Sequence, residues 1–321
     1  MNLFNEGSVE AKITFTTRCT AKCSTCLTHT IENHHDLERS LFEKFITEVL
    51  LVEQVKLVSF YSIGESYLHH DFIAMVEWAI PKLRARNICT QIVTNGSLST
   101  TIPNGLDDYF ISFNAGTRET YEKITHLPFD RVVSNIWHLY NSGEYKKAKN
   151  FQIHMLVFEE NKNDVFEFRK LFFGMKGVRL RISYKYDNQH GESDGKALHQ
   201  IRKKIPCNYL TNKITLYPNG EIILCSHDFL GSVVFGNLMK ESLHEILRNP
   251  ERTHLIAQHN NGVFQGLCEA CDYNIETLGQ NLFDYFDADP QEEVNRLQNV
   301  ISTLRTNSFI KLLRRFRVIE I

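Results

Sequence analysis

The apolar positions in the first half of the chain alternate between two periods. Residues 13–17 (Ile-Thr-Phe-Thr-Thr) alternate apolar and polar, as a half-buried strand does. Residues 37–53 instead place Leu41, Phe42, Phe45, Ile46, Val49 and Leu50 at the spacing of one helix face. The exchange continues with a strand at 55–60, a helix at 71–86 and a strand at 90–94 stopped by Asn95-Gly96. Then come a strand at 109–114, helix at 118–124 and 130–140, a strand at 151–158, a helix at 165–173 and a strand at 178–183. This rhythm predicts an α/β fold with a parallel sheet and right-handed crossovers. Six units, where a closed barrel has eight, predict a partial (β/α)6 TIM-like barrel with a lateral opening.

The rhythm stops at a polar, glycine-bearing stretch, 186–195, expected to be a linker. Beyond it, residues 214–225 read as a hairpin turning at Pro218-Asn219-Gly220, with Cys225 at the end of its second strand. A short helix follows at 243–248, and the pattern from 275 to 321 is helical. The expected organisation is a barrel (1–190), a small cysteine-bearing domain (191–275) and a helical C-terminal tail (276–321).

Composition narrows the class. A chain of 321 residues, 42% hydrophobic and 23% charged, reads as globular, and a net charge of −2 implies no nucleic-acid partner. No apolar run approaches the ~18 residues of a membrane span, and the first residues lack a signal peptide's basic start and apolar middle. Eight cysteines without an export signal point to a reducing cytoplasm and to metal ligands instead of disulfides.

Three of those cysteines, Cys19, Cys23 and Cys26, lie on one loop after the first predicted strand. Structural zinc wants four ligands, usually in two pairs. A [4Fe–4S] cube takes four thiolates, so three leave one iron open to another ligand. The spacing CxxxCxxC resembles the cluster loop of the radical S-adenosylmethionine (SAM) enzymes. That resemblance implies a [4Fe–4S] cluster whose open iron is chelated by SAM, and reductive cleavage of SAM to a 5′-deoxyadenosyl radical. It also implies an electron donor such as flavodoxin or ferredoxin.

Further motifs carry the resemblance, which covers most of residues 10–275. Ser62-Ile63-Gly64-Glu65-Ser66 is similar to the family's GGEP motif, with Ile63 in place of the first glycine and Ser66 in place of the proline. The likeness implies that Gly64 and Glu65 receive the amino group of SAM. Thr94-Asn95-Gly96 matches the family's TNG turn, and Ser112 and Asn114 stand where relatives hydrogen-bond the ribose or carboxylate. Family members carry an aromatic residue before the third cysteine. Here it is Thr25, so adenine packing is expected from Phe60 or Tyr61.

Cys207, Cys225, Cys268 and Cys271 form a second set. Their spacing alone fits a zinc ribbon as well as an iron–sulfur site. A hairpin ending in cysteine, Gly236-Asn237-Leu238 and a short helix before the last pair resemble the SPASM/twitch extension of radical SAM enzymes. With Cys271 the last cysteine, the likeness is to the single-cluster twitch form. It implies an auxiliary [4Fe–4S] cluster, closed by four thiolates, that can pass one electron.

The remaining candidates have plainer readings. Cys89, at the start of the third strand, is expected to be a buried structural cysteine and not a hydrogen donor. His34-His35 and His69-His70 are expected on solvated loops or helix starts. His154, Arg179, Arg181 and Tyr184 fall where a substrate would lie; the two arginines share a face and suit either a phosphate or carboxylate or surface acids. The basic segment 309–317 suits packing against protein or, alternatively, an anionic membrane surface. The expected activity is hydrogen abstraction from a small polar substrate (a sugar, aminocyclitol or nucleotide sugar) that is then oxidised or epimerised. The alternative is a ribosomal-peptide maturase. No residue stands out as the general base.

Overall fold

The computed structural model describes residues 4, 7–184, 203–204, 206–271, 275–276 and 284–287. The expected linker 186–195 and the basic segment 309–317 lie outside them.

The chain builds β1 (Val9–Ile13), α1 (Arg39–Val49), β2 (Val55–Ser59), α2 (Phe72–Arg84), β3 (Cys89–Thr94) and β4 (Leu106–Ser112). It continues with α3 (Arg118–Thr125), α4 (Phe129–Asn141), β5 (Ala148–Val157), α5 (Val165–Leu171) and β6 (Val178–Tyr184). β1 to β6 pair in sequence order and all parallel, as the alternating periods require. The helix-side residues Val9, Ala11 and Ile13 of β1 join a core with the apolar faces of α1 and α2. Phe15 anchors it, edge-on to Phe72 at 4.8 Å and tilted against Phe42 at 5.4 Å. The other side of each strand faces the barrel interior.

β1 ends where the predicted strand 13–17 was to begin. Residues 9–13 (Val-Glu-Ala-Lys-Ile) alternate as well, but their polar members Glu10 and Lys12 point into the barrel, where charged side chains are rarely expected.

The second cysteine region comprises β7 (Lys203–Lys204), α6 (Asn208–Thr211), β8 (Lys213–Leu216), β9 (Glu221–Ile223) and β10 (Val234–Asn237). It also comprises α7 (Leu243–Leu247), α8 (Pro250–Asn260) and α9 (Leu267–Ala270). The β8–β9 hairpin does not stand apart. β8 pairs parallel with β1, so the sheet order is β10-β9-β8-β1-β2-β3-β4-β5-β6-β12. β12 (Asp284–Asp287) and β11 (Ile275–Glu276) correct the expected helical tail: both are strands, β12 antiparallel to β6 and β11 antiparallel to β7. The free backbone edge of β6 offers hydrogen bonds that a four-residue helix turn could not use. The rest of that tail lies outside the described residues.

Candidate functional site

The three thiols of the first set are half-buried on the loop between β1 and α1. Backbone bonds hold this loop to the end of α3: the Lys22 and Ser24 amides donate to Thr125 and Ile124 carbonyls, both at 2.9 Å. On the other side the Glu65 amide donates to the Arg18 carbonyl at 2.8 Å. Asn95 Nδ2 donates to Thr20 Oγ1 at 2.9 Å and reaches Cys19 Sγ at 3.8 Å. Cys26 Sγ lies 3.1 Å from Thr28 Oγ1.

Burial pushes the Cys19 thiol up to about 12, reinforced by Glu65 and Cys26, and pushes Cys23 up further, reinforced by Cys26 and Cys19. Thiols so placed keep their protons unless a cation displaces them. Two thiols held protonated by burial, with a third sulfur and a carboxylate close by, are a donor set that fits iron. Among the described residues, no three His, Cys, Asp or Glu side chains close on a single ion. The fit accordingly rests on donor chemistry.

Gly64 has φ +78°, and a Cβ there would lie 2.1 Å from the Thr16 carbonyl oxygen and 2.7 Å from that of Arg18. Its close approach is to the backbone at the base of the cysteine loop, where the sequence suggested an approach to ligand. Ile63 departs from the family motif for a visible reason. It is buried with Ile31, Tyr217, Ile223 and Phe229, against Cys26 and Leu27, and so joins the cysteine loop to the β8–β9 hairpin. Ser66, in place of proline, donates Oγ to the Phe60 carbonyl at 3.0 Å.

Glu65 is buried, and its carboxylate is occupied by protein donors. Oε1 accepts from Thr94 Oγ1 at 2.9 Å and Tyr67 N at 3.3 Å, and Oε2 from Asn95 N at 2.8 Å. Desolvation raises its pKa while these bonds oppose the rise. Glu65 thus fastens the end of β2 to the end of β3, bringing Gly64, Thr94 and Asn95 beside Cys19. Ser112 and Asn114 are bonded to each other at 3.2 Å, and Asn114 Oδ1 accepts from Leu156 N at 2.9 Å. Phe60 is not available to stack on a ligand, being wholly buried among Phe15 and Phe42. Tyr61 faces the barrel interior.

In the second set Cys225 and Cys271 are buried, and Cys207 and Cys268 half-buried. Cys207 stands at the start of α6 and Cys225 just past β9. Desolvation raises both thiols, with Cys271 adding to each. Asp228 shapes the turn after Cys225, accepting from Ser232 N at 2.8 Å and Val233 N at 2.9 Å. The buried Arg252 ties α6 to α7, donating to Leu247 O at 3.0 Å and Leu210 O at 3.5 Å.

The barrel interior holds Lys12 and Glu10, which the sequence reading missed, along with His154 and Arg181, which it named. Lys12, only 3% exposed, lies 4.0 Å from Glu10 and over the rings of Tyr61 (4.5 Å) and Tyr209 (5.5 Å). Burial lowers its pKa to about 8 against the opposing pull of Glu10. Glu10 itself pairs with Lys213 at 2.7 Å and accepts from Ser59 Oγ at 2.5 Å. Across the interior, His154 Nε2 is 2.5 Å from Ser183 Oγ; burial and then Arg181 push its pKa down to about 3, so the ring is neutral. Arg181 lies over Phe110, whereas Arg179 is exposed. The alternation of β1, read one strand-length earlier, was the signal for Lys12.

One plainer expectation is corrected, for Cys89, and the helix-start place expected of His69 holds, its Nδ1 accepting from the Asp71 amide at 3.2 Å, although the ring is not solvated. Cys89 is exposed, because β3 begins there at the sheet's rim, away from Cys19. His69 is buried: its Nε2 is 2.9 Å from the Leu37 carbonyl and its ring packs on Phe15, leaving His70 in solvent.

A model of the SPASM family, an iron–sulfur cluster-binding domain, matches residues 207–272. Among solved structures, the chain is similar to BtrN in complex with AdoMet and 2-DOIA, with 13% identity over 84% of this chain and 94% of that one and a TM-score of 0.53. It is similar to Streptococcus suis SuiB bound to precursor peptide SuiA, with 14% identity over 84% and 71% and a TM-score of 0.61. It is also similar to anSMEcpe with bound AdoMet, with 14% identity over 79% and 84% and a TM-score of 0.55. No curated protein matches. The match over residues 207–272 is to an iron–sulfur domain, and the likeness to the solved structures is one of fold. The chain has the architecture of a radical SAM enzyme with a C-terminal SPASM iron–sulfur domain.

Proposed function

We propose that this chain is a radical SAM enzyme acting on a small polar substrate, a sugar, aminocyclitol or nucleotide sugar, which it oxidises or epimerises. The observation that carries this reading is the joining of the two thiol sets by one sheet: β8 of the second set pairs with β1, which leads into the first. Cys19, Cys23 and Cys26 would hold a [4Fe–4S] cluster with one iron free for SAM. Gly64, Glu65, Thr94 and Asn95 shape the wall beside Cys19, and Ser112 and Asn114 offer hydrogen bonds to the ribose or carboxylate. When bound, this pair would supply a 5′-deoxyadenosyl radical able to take hydrogen from an unactivated C–H bond. Cys207, Cys225, Cys268 and Cys271 would hold a closed auxiliary cluster that accepts an electron.

We assign SAM binding to the barrel within 1–190 and the auxiliary cluster to the region within 191–275, with β12 returning to the edge of the barrel sheet. The polar barrel interior, with Lys12, His154 and Arg181, supports a small hydrophilic substrate. Among the described residues no helix is long and apolar enough to cross a membrane, and oxygen-sensitive clusters suit a cytoplasmic protein reduced by flavodoxin or ferredoxin. The test is anaerobic reconstitution with iron and sulfide, then reduction with SAM present. Formation of 5′-deoxyadenosine, stimulated by aminocyclitols or nucleotide sugars, supports the reading. Stimulation by precursor peptides alone would replace the substrate class, and no 5′-deoxyadenosine would remove the activity.

A further inference from the structure

Lys12 is charged, almost wholly enclosed, and without a hydrogen-bond acceptor among the described residues. Its nearest carboxylate, Glu10, is 4.0 Å away and already engaged by Lys213 at 2.7 Å and Ser59 at 2.5 Å. The remaining contacts are two tyrosine faces, Tyr61 at 4.5 Å and Tyr209 at 5.5 Å. A cation over aromatic rings is attracted to them, but they give its N–H groups no lone pair. An ammonium taken out of water in this way normally finds a hydrogen-bonded anion.

Two other groups, one beside Lys12 on β8 and one across the sheet on β5, are also short of partners. Thr215, opposite Lys12 in the β1–β8 register, has a buried Oγ1 with no hydrogen bond among the described residues. Gln152, two residues before His154 on β5, has a buried Oε1 in the same condition. Lys213 and Glu10 pair with each other, which leaves Lys12 beside a carboxylate that is already engaged. Tyr61 lies within the fields of Glu10, Lys213 and Arg181 alike, which places these groups around one interior. Lys12 in turn feels Cys225, so it stands on the side of the second thiol set.

We propose that Lys12 receives an anionic group of the substrate, a carboxylate or a phosphate, on the side of the barrel interior that faces Cys225. The proposal rests on the barrel interior being the substrate chamber and narrows the small polar substrate to an acidic one. The anion supplies the acceptor that Lys12 lacks, and Thr215 Oγ1 donates to its second oxygen. Tyr61 and Tyr209 form the apolar walls that strengthen the pairing by excluding water.

The test is anion binding by the full-length, anaerobically reconstituted protein, with inorganic phosphate followed by ³¹P NMR and acetate by ¹³C NMR. Lys12→Met should weaken binding about tenfold or more, while Lys12→Arg, which keeps the charge, should hold it within about threefold. Whichever anion binds more tightly to the unaltered chain names the substrate's group. Saturating SAM should leave the binding in place. The proposal is overturned if the unaltered chain binds neither anion, if Lys12→Met binds as well as the unaltered chain, or if Lys12→Arg loses as much as Lys12→Met. Displacement by SAM would also overturn it, because Lys12 would then serve the cofactor's own carboxylate. Failure of SAM cleavage would refute the proposed activity without touching these results, and loss of anion binding would leave SAM cleavage standing.

Discussion

The two thiol sets reach similar chemistry by opposite routes. The first occupies eight consecutive residues, Cys19 to Cys26, and its sulfurs are held by what presses on the loop from outside: Gly64, Asn95 and the end of α3. The second is drawn from four places between 207 and 271 and needs a hairpin, a capped helix and a buried arginine to bring them near one another. The first is a local motif with remote supports, and the second a remote assembly. Damage should therefore travel differently: from the barrel walls into the first set, and from the auxiliary fold into the second.

The largest expected effect separates them outright. Replacing Cys19, Cys23 and Cys26 together by alanine should abolish 5′-deoxyadenosine formation and lower iron from about eight to about four per chain. Cys268→Ala should keep SAM cleavage but stop an oxidation that needs the auxiliary cluster. Iron analysis and product chromatography read both, and oxidised product at the normal rate from Cys268→Ala would refute the electron-acceptor role.

Next is Gly64→Ala, which touches no thiol. Its methyl group would meet the Thr16 carbonyl oxygen at 2.1 Å in a left-handed conformation, a cost of about 3 kcal/mol or more. The first cluster should assemble poorly while the second forms, as cluster-resolved Mössbauer spectra would show. Glu65→Gln should act in the same direction by about 2 kcal/mol, because one carboxylate oxygen facing Thr94 Oγ1 or Asn95 N becomes a donor. Urea midpoints measure that loss.

The difference also explains what could be read in advance. CxxxCxxC is contiguous, so its three thiols and the iron–sulfur chemistry they imply were legible without a fold. The six strands were legible from their periods, although β1 was placed late because Glu10 and Lys12 face inward. The role of Glu65 was not legible: a motif names a carboxylate, but only the fold shows that Thr94 and Asn95 consume it. Nor was the burial of Ile63, since its partners Tyr217 and Ile223 lie more than 150 residues away in the chain. β12 escaped notice because its pairing edge on β6 exists only once the sheet is built.

The smallest expected effect concerns His154. Its folded pKa is near 3, below the ordinary value of 6.5, so the unfolded chain binds the proton more readily. The neutral ring therefore contributes fully above pH 6.5, and stability falls as the pH drops from there toward 3. His154→Gln should flatten that part of the slope, as chemical denaturation at pH 7.5 and 5.5 would show.

The central claim is that only the first thiol set leaves an iron open to SAM. Electron paramagnetic resonance of the reduced protein, with and without SAM, tests it in the chain carrying both sets and in the chain whose Cys207, Cys225, Cys268 and Cys271 are alanine. SAM should shift the same signal in both. A signal that responds to SAM only when the second set is intact would contradict the account.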